Sequence, residues 1–190
     1  MILKKLKEIA EIKLGYSLQE SLGANSKGNV QIIQQKDLDE FNCIDFSKVC
    51  QVTISPNPEK HFINYGEILL ISRGKFRATV YKPPIGKNFA VSSSFLRITL
   101  ICPQKIIPEY VAAYLNSSAG YRELSKMHSY SSGISAINAD ELKNVKIPIL
   151  PLDKQRKIVK FSNEYLNLRK LQKKHTELLY KIFDYVIGEN

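Results

Sequence analysis

Acidic residues are missing from a long internal segment of this 190-residue chain. No aspartate or glutamate occurs between Ile68 and Pro108, although the whole sequence contains 18 of them. The chain also lacks tryptophan and has no run of about 18 apolar residues, so no membrane-spanning helix and no membrane partner are predicted. Its net charge of +10 predicts a polyanionic partner, most often a nucleic acid; the alternative is a protein that is merely basic.

Cysteine is scarce as well. Cys43, Cys50 and Cys102 are odd in number and show no C-x-x-C spacing, which predicts reduced, mostly buried thiols in a cytoplasmic protein. The first eight residues contain three lysines and no uncharged apolar stretch, so a signal peptide is not expected.

The residue patterns of common catalytic sites do not occur. There is no G-x-x-x-x-G-K-[ST] loop, no G-x-G-x-x-G after a strand and no G-x-S-x-G turn. His61, His128 and His175 lie far apart, without a metal-ligating neighbour at helical spacing. Glu141 and Lys143 have the Glu-x-Lys spacing of metal-dependent nucleases, but that spacing is common by chance. We therefore predict that the chain is not an enzyme and binds no cofactor or metal directly, with a small nuclease as a remote alternative.

Positive charge is concentrated in the acid-free segment, whose seven cations are Arg73, Lys75, Arg77, Lys82, Lys87, Arg97 and Lys105. A positive field without acids suits phosphate contacts, and small polar side chains beside it suit base contacts. A second polar loop is predicted over residues 126–133. The predicted DNA-binding residues are Arg73, Lys75, Arg77, Lys82, Lys87, Asn88, Ser92 and Ser93 in the first region and Lys126, His128, Ser129 and Tyr130 in the second. In the alternative interpretation, both regions are ordinary solvated surface.

The hydrophobic pattern predicts an α+β fold. Short apolar runs between turn residues predict strands over 30–33, 49–54, 67–72, 77–81, 89–91, 95–101 and 145–149. Helical spacing predicts a helix or turn over 3–12, helices over 107–116 and 120–127, a loop over 128–137 and a helix start capped by Asn138 and Glu141. The prediction is a mixed, largely antiparallel sheet or distorted barrel with short helices over 1–151, followed by one long helix over 152–190.

The C-terminal segment from Leu152 to Tyr185 contains no glycine or proline and predicts a helix of about 36 residues, roughly 54 Å long. Apolar residues recur along it in two interleaved heptad series. The predicted dimer-helix residues are Ile158, Phe161, Tyr165, Leu168, Leu171, His175, Leu178 and Ile182. This pattern predicts a coiled coil that needs a partner helix; the alternative is a helix folded back on its own domain.

Three stretches resemble the specificity subunit of type I restriction-modification systems. They are LKEIAEI at 6–12 followed by Gly15, GEILL at 66–70, and DEL at 140–142 followed by IPILPLDKQRKI at 147–158. The most specific of them is the Pro-Leu-x-x-Gln-x-x-Ile turn into the long helix. The resemblance covers essentially the whole chain.

The resemblance implies a target recognition domain that reads one half of a split double-stranded DNA site, and a helix that acts as a spacer. It implies no catalysis by the subunit itself: the expected partners are methyltransferase subunits that use S-adenosylmethionine and a restriction subunit, with ATP and Mg²⁺ also acting on partner subunits. The usual subunit has two such units, whereas this chain has one. Three interpretations of this single unit remain open: a half-length subunit that homodimerises, one half of a split pair, or a fragment. The heptad pattern of the helix favours the homodimer. The alternative function is an adaptor whose helix binds a larger enzyme without reading DNA.

Overall fold

The computed structural model describes residues 2–17, 28–127, 129–131 and 134–188. The strands in this part of the chain are β1 (Ile2–Lys5), β2 (Ala10–Leu14), β3 (Val30–Ile33), β4 (Cys50–Val52), β5 (Ile68–Ile71), β6 (Ala78–Val80), β7 (Phe89–Val91), β8 (Phe95–Leu100), β9 (Ser129–Ser131), β10 (Ile134–Ala136) and β11 (Lys146–Ile149). The α-helices are α1 (Pro108–Asn116), α2 (Ser118–Met127), α3 (Ala139–Lys143) and α4 (Leu152–Gly188). Single 3₁₀ turns occupy Leu6–Glu8, Gln35–Asp37 and Pro58–His61.

A four-stranded antiparallel sheet in the order β2-β8-β5-β6 lies at the centre of the domain. Strand β5 is buried on both faces: Ile68 and Leu70 belong to one apolar cluster, Leu69 and Ile71 to another. The first cluster also contains residues of α1, α2 and α3. The second cluster joins the central sheet to a three-stranded sheet of order β4-β3-β7. Because side chains alternate across a strand, this double burial explains the uninterrupted apolar run of β5.

The predicted α+β class is confirmed. The strands of the described residues form four separate sheets and no closed barrel. Besides the two sheets above, β1 pairs with β11 and β9 pairs with β10. The named strands pair antiparallel except for β3 with β7, and Tyr16 and Ser92 form an isolated parallel bridge, as expected for a mixed, largely antiparallel fold. No helix in this part of the chain is long and apolar enough to cross a membrane.

Of the helix or turn predicted over 3–12, only a single 3₁₀ turn at Leu6–Glu8 is present. This segment forms β1, a 3₁₀ turn and β2, and Leu6 N donates a 2.9 Å hydrogen bond to Val145 O. The apolar spacing arises because Leu6 and Ile9 turn into the core between two strands, each paired with a distant part of the chain. Long-range backbone pairing therefore overrides the local helical period.

The loop predicted over 128–137 is also wrong. Its described residues form the antiparallel strands β9 and β10, while His128, Ser132 and Gly133 lie outside the described residues. Beyond the hairpin, Ala136 forms a further antiparallel bridge with Arg73. Backbone partners on both sides of β10 stabilise a short strand in a serine-rich segment whose composition does not predict one.

Several predicted elements are confirmed at their expected bounds. Helix α1 begins at Pro108, where the missing backbone N–H costs nothing. The predicted capping box opens α3: Asn138 Oδ1 accepts a hydrogen bond from Glu141 N at 2.9 Å, and Glu141 Oε2 accepts one from Asn138 N at 2.8 Å. Helix α4 is 37 residues long, as expected from the absence of glycine and proline before Gly188.

The outer strand β6 of the central sheet is covered by the end of α1. Asn116 Oδ1 accepts a hydrogen bond from Ala78 N, and Asn116 Nδ2 donates one to Ala78 O, both at 2.8 Å. The side-chain amide thus takes the place that a further strand would occupy at this position.

Candidate nucleic-acid interface

One of the seven cations of the acid-free segment lies inside the domain. The side chain of Arg97 is 12% exposed and that of its partner, Glu67, is 2% exposed. Arg97 Nε and Nη2 donate to the two carboxylate oxygens of Glu67 at 2.9 and 3.0 Å, and Nη2 also donates to Phe62 O at 2.8 Å. This two-point pairing neutralises a buried carboxylate, so Arg97 belongs to the core and not to the surface field.

The turn between β5 and β6, residues 72–77, is called the cationic turn below. Ile71 N donates to Arg77 O at 2.9 Å across its base, and Gly74 has a φ of +79°, a conformation that glycine adopts without strain. Arg73 and Lys75 are exposed on it. Two cations are therefore presented to solvent by a turn whose ends are fixed in the sheet.

The cationic turn lies against the β9–β10 hairpin. Arg73 and Ala136 form the bridge between them, and Ile137 N donates to Ser72 O at 2.9 Å. The structure thus places the cationic turn against the hairpin that contains Ser129 and Tyr130 of the second predicted region, although Arg73 and Ala136 are 63 residues apart in the chain.

A groove of about 750 Å³ runs between the domain and α4 on the other side of the cationic turn. Its charged lining residues are Lys75, Arg77, Lys82, Arg169, Glu40 and Glu109. Arg77 Nη1 donates to Asp39 O at 2.8 Å, which fixes its guanidinium. Lys82 Nζ lies 2.5 Å from Glu109 Oε1, and this contact raises the pKa of Lys82. Cationic side chains therefore outnumber acidic ones in the groove. Two of these cations also make contacts within the fold: Arg77 with Asp39 O and Lys82 with Glu109.

The remaining cation of the first region, Lys87, lies on the loop after β6, beyond the end of that strand opposite to Arg77. Lys87 and Asn88 are exposed there, on a loop in which Lys87 N approaches Pro84 O at 3.4 Å. Ile85 is fully exposed at the tip of this turn. Sequence analysis did not single out Ile85, although two prolines and a glycine around an apolar residue are a signal for an exposed turn.

The predicted serines are placed inside the fold. Ser92 is buried, and its Oγ shares a 2.7 Å hydrogen bond with Ser94 Oγ. Ser93 is half-buried, and its N donates to Tyr16 O at 2.8 Å. Ser92 and Ser93 therefore connect strands, and a DNA contact by the Ser92 hydroxyl would require it to leave this position.

The second predicted region has a defined backbone. Lys126 lies in the last turn of α2, with its Nζ 2.5 Å from Glu123 Oε1 on the preceding turn. Ser129 and Tyr130 are backbone members of β9, and their side chains, like all of His128, lie outside the described residues.

The predicted dimer-helix residues form a continuous exposed seam on α4. Ile158, Phe161, Tyr165, Leu168, Leu171, Leu178 and Ile182 are between 37% and 70% exposed, and His175 is exposed as well. Ile158, Phe161 and Tyr165 also line the groove against the domain, whereas the seam from Leu168 onward does not. Large apolar side chains at heptad spacing rarely face water along a whole helix.

The residues considered for nuclease chemistry have local contacts in the helix α3. Glu141 is part of the capping box, and Lys143 Nζ lies 2.7 Å from Asp140 Oδ1. Among the residues that the structure describes, no three His, Cys, Asp or Glu side chains are grouped so as to hold a metal ion.

Comparison with solved structures shows the same fold in larger proteins. The chain is similar to an S subunit of a type I restriction-modification system from M. genitalium, with 14% identity, a TM-score of 0.51, and coverage of 97% of this chain and 42% of that one. It is similar to the HsdS subunit from Thermoanaerobacter tengcongensis, with 20% identity, a TM-score of 0.61, and coverage of 92% and 39%. A chain from a structure of type I R-M complex assembly and conformational transition gives 21% identity, a TM-score of 0.66, and coverage of 98% and 44%.

Sequence comparison identifies the family. No curated protein has a significant match to the chain. The chain spans about two fifths of the length of the solved structures that it matches. The family model of the type I restriction modification DNA specificity domain matches residues 3–180, which is nearly the whole chain. The chain therefore belongs to the type I restriction-modification DNA specificity family.

Proposed function

We propose that this chain is the DNA-recognition unit of a type I restriction-modification specificity subunit and reads one half of a split double-stranded site. The observation that carries the proposal is the contact between the cationic turn and the β9–β10 hairpin. A two-stranded ribbon fits the major groove, where each base pair presents a distinct pattern of donors and acceptors. Arg73 and Lys75 are exposed beside this ribbon and would contact the flanking phosphates.

This proposal predicts both sequence selection and strong salt dependence. In a selection of bound duplexes from a random pool, the chain should enrich one half-site, because a recognition unit distinguishes base sequences. In a gel-shift series, the logarithm of the affinity should fall linearly with the logarithm of the salt concentration, by about 0.9 for each phosphate contacted. Affinity that does not change with salt would contradict the phosphate contacts. A pure adaptor, the alternative function, would enrich no sequence.

The helix α4 is proposed to join two such units. Its exposed seam fits a second copy of the same helix, and a twofold dimer would present two recognition domains to a palindromic split site. In this proposal the chain performs no catalysis: it positions methyltransferase and restriction subunits, and S-adenosylmethionine, ATP and Mg²⁺ act on those partners.

We expect a charge in the seam to separate the two copies. The wild-type chain should have a solution mass of twice 21.7 kDa, and Leu171→Asp with Leu178→Asp should give the monomer mass, because an aspartate pair facing its equivalent is costly to bury. Asn163→Asp with Thr176→Asp introduces the same charges at exposed positions of α4 outside the seam and should leave the mass unchanged. A wild-type monomer at micromolar concentration would rule out the homodimer.

A further inference from the structure

One buried glutamine joins the first turn of α4 to the domain, and Val159 on the next turn packs against the first apolar cluster. Gln155 is 0% exposed although it lies on a helix whose other residues face water or are half-buried. Its Oε1 accepts a hydrogen bond from Ile107 N at 2.9 Å, and its Nε2 donates to Lys105 O at 3.0 Å and to Leu150 O at 2.7 Å. One side chain therefore joins the helix to the start of α1, to the loop before it and to the turn after β11.

A second contact lies four turns further along the helix. Lys170 and Lys173 place their Nζ atoms 5.8 and 6.0 Å from the ring centre of Phe41, which suits a cation–π contact. Lys170 Nζ also lies 3.0 Å from Cys43 Sγ, and Lys173 pairs with Glu40. The loop 39–43 thus holds α4 from the side of the domain.

This loop is itself held in one shape. Asp39 Oδ1 accepts hydrogen bonds from Phe41 N and Cys43 N, both at 2.8 Å, and Asp39 O accepts one from Arg77 Nη1. The carboxylate closes the loop on itself while the arginine fixes it to the cationic turn. The second contact is therefore made by a braced loop that is continuous with the proposed DNA surface.

Two separated contacts determine a direction, whereas one contact allows a helix to pivot. Gln155 and Lys170 are 15 residues apart, or roughly 22 Å at 1.5 Å per residue. The segment beyond Lys173 extends from the domain for a further 15 residues to Gly188, so a small change of angle at Gln155 is magnified at the far end.

We propose that Gln155 and Phe41 are positioning residues that set which half-site spacing the protein accepts. The proposal rests on the proposed function, because it requires two recognition domains held apart by α4. Neither residue needs to touch DNA: each acts through the direction of the helix. Adding one base pair between half-sites moves them by 3.4 Å and rotates them about the duplex, which a rigid helix pair discriminates and a pivoting pair tolerates.

The test uses duplexes that carry two inverted copies of the half-site selected by the wild-type chain, separated by spacers that differ by one base pair. Wild-type protein should prefer one spacer, and Gln155→Ala should lower its discrimination between adjacent spacers by about tenfold. Lys157→Ala also truncates a side chain to alanine, at an exposed position of the same helical turn, and should keep the wild-type preference between spacers even if loss of the charge weakens binding overall. A merely structural role for Gln155 would weaken binding to all spacers equally and leave the preference unchanged.

Phe41→Ala provides the second variant, because Phe41 is half-buried at the surface and its loss leaves the buried contacts of Gln155 in place. It should broaden the spacer preference in the same direction. One result would overturn the positioning role and leave the proposed function standing. In that result the wild type prefers one spacer, and Phe41→Ala keeps the same preference, as does Gln155→Ala if that variant folds. A wild-type chain that enriches no duplex removes the proposed function, and the spacing role with it.

Discussion

Arg97→Met is expected to lower the free energy of unfolding by about 3–5 kcal/mol, because it leaves the Glu67 carboxylate buried without its cation. Glu67 would keep only its hydrogen bonds from Asn64, whose N and Nδ2 both donate to Oε1 at 3.0 Å. Arg97 also bonds the carbonyl of Phe62, so the segment before β5 would lose a fixed point as well. Urea denaturation followed by circular dichroism measures the change.

Two further variants separate the buried charge from the lost contacts. Glu67→Leu with Arg97→Met removes both charges and should lose less stability than Arg97→Met alone, since no uncompensated carboxylate remains. Lys87→Met removes an exposed cation of the same segment and should change stability by no more than about 0.5 kcal/mol. A single Arg97→Met variant as stable as wild type would show that this ion pair does not support the core.

Removing both exposed cations of the cationic turn is expected to have the largest effect on DNA affinity. Arg73→Ala with Lys75→Ala should weaken binding about 10- to 100-fold at low salt and reduce the salt slope by about 2, because two phosphate contacts are lost. Both side chains are exposed, so the fold should be unaffected. Gel shifts at several salt concentrations give both quantities, and circular dichroism checks the fold.

The choice of residues matters for interpreting this result. Arg77 is less suitable as a target, because its guanidinium also holds the loop 39–43 through Asp39 O. Lys4→Ala with Lys7→Ala removes the same charge from exposed positions near the N-terminus and serves as the control. Equal losses of affinity in the two double variants would mean that net charge, and not the cationic turn, attracts DNA.

The sequence predicts elements well where local pattern and tertiary environment agree. The run at 67–72 becomes β5 because an apolar strand buried on both faces needs no alternation. Segments whose structure depends on distant partners are mispredicted: Leu6 has helical spacing with its neighbours, but its backbone pairs with Val145. The same limit applies to β9 and β10, since the partner of Ala136 lies at Arg73.

For the candidate site as well, some features can be predicted from the sequence and others depend on the tertiary fold. The absence of acids over 68–108 locates a cationic segment, but composition cannot distinguish Arg73, which faces solvent, from Arg97, which pairs with a glutamate just outside that segment. Nor can it show that the cationic turn and the hairpin meet, because that contact follows from the sheet order. Gln155 stands in the most specific motif of the chain, yet its three bonds to backbone atoms depend on the tertiary fold.

The amide of Asn116 has a consequence for self-association. An outer strand with free backbone groups recruits strands from other molecules and leads to open-ended aggregates. At Ala78 those groups are already occupied, and β6 is only three residues long, so this edge offers little to a second copy. If the chain pairs with a second copy as proposed, this edge of the sheet does not compete with α4 for that copy.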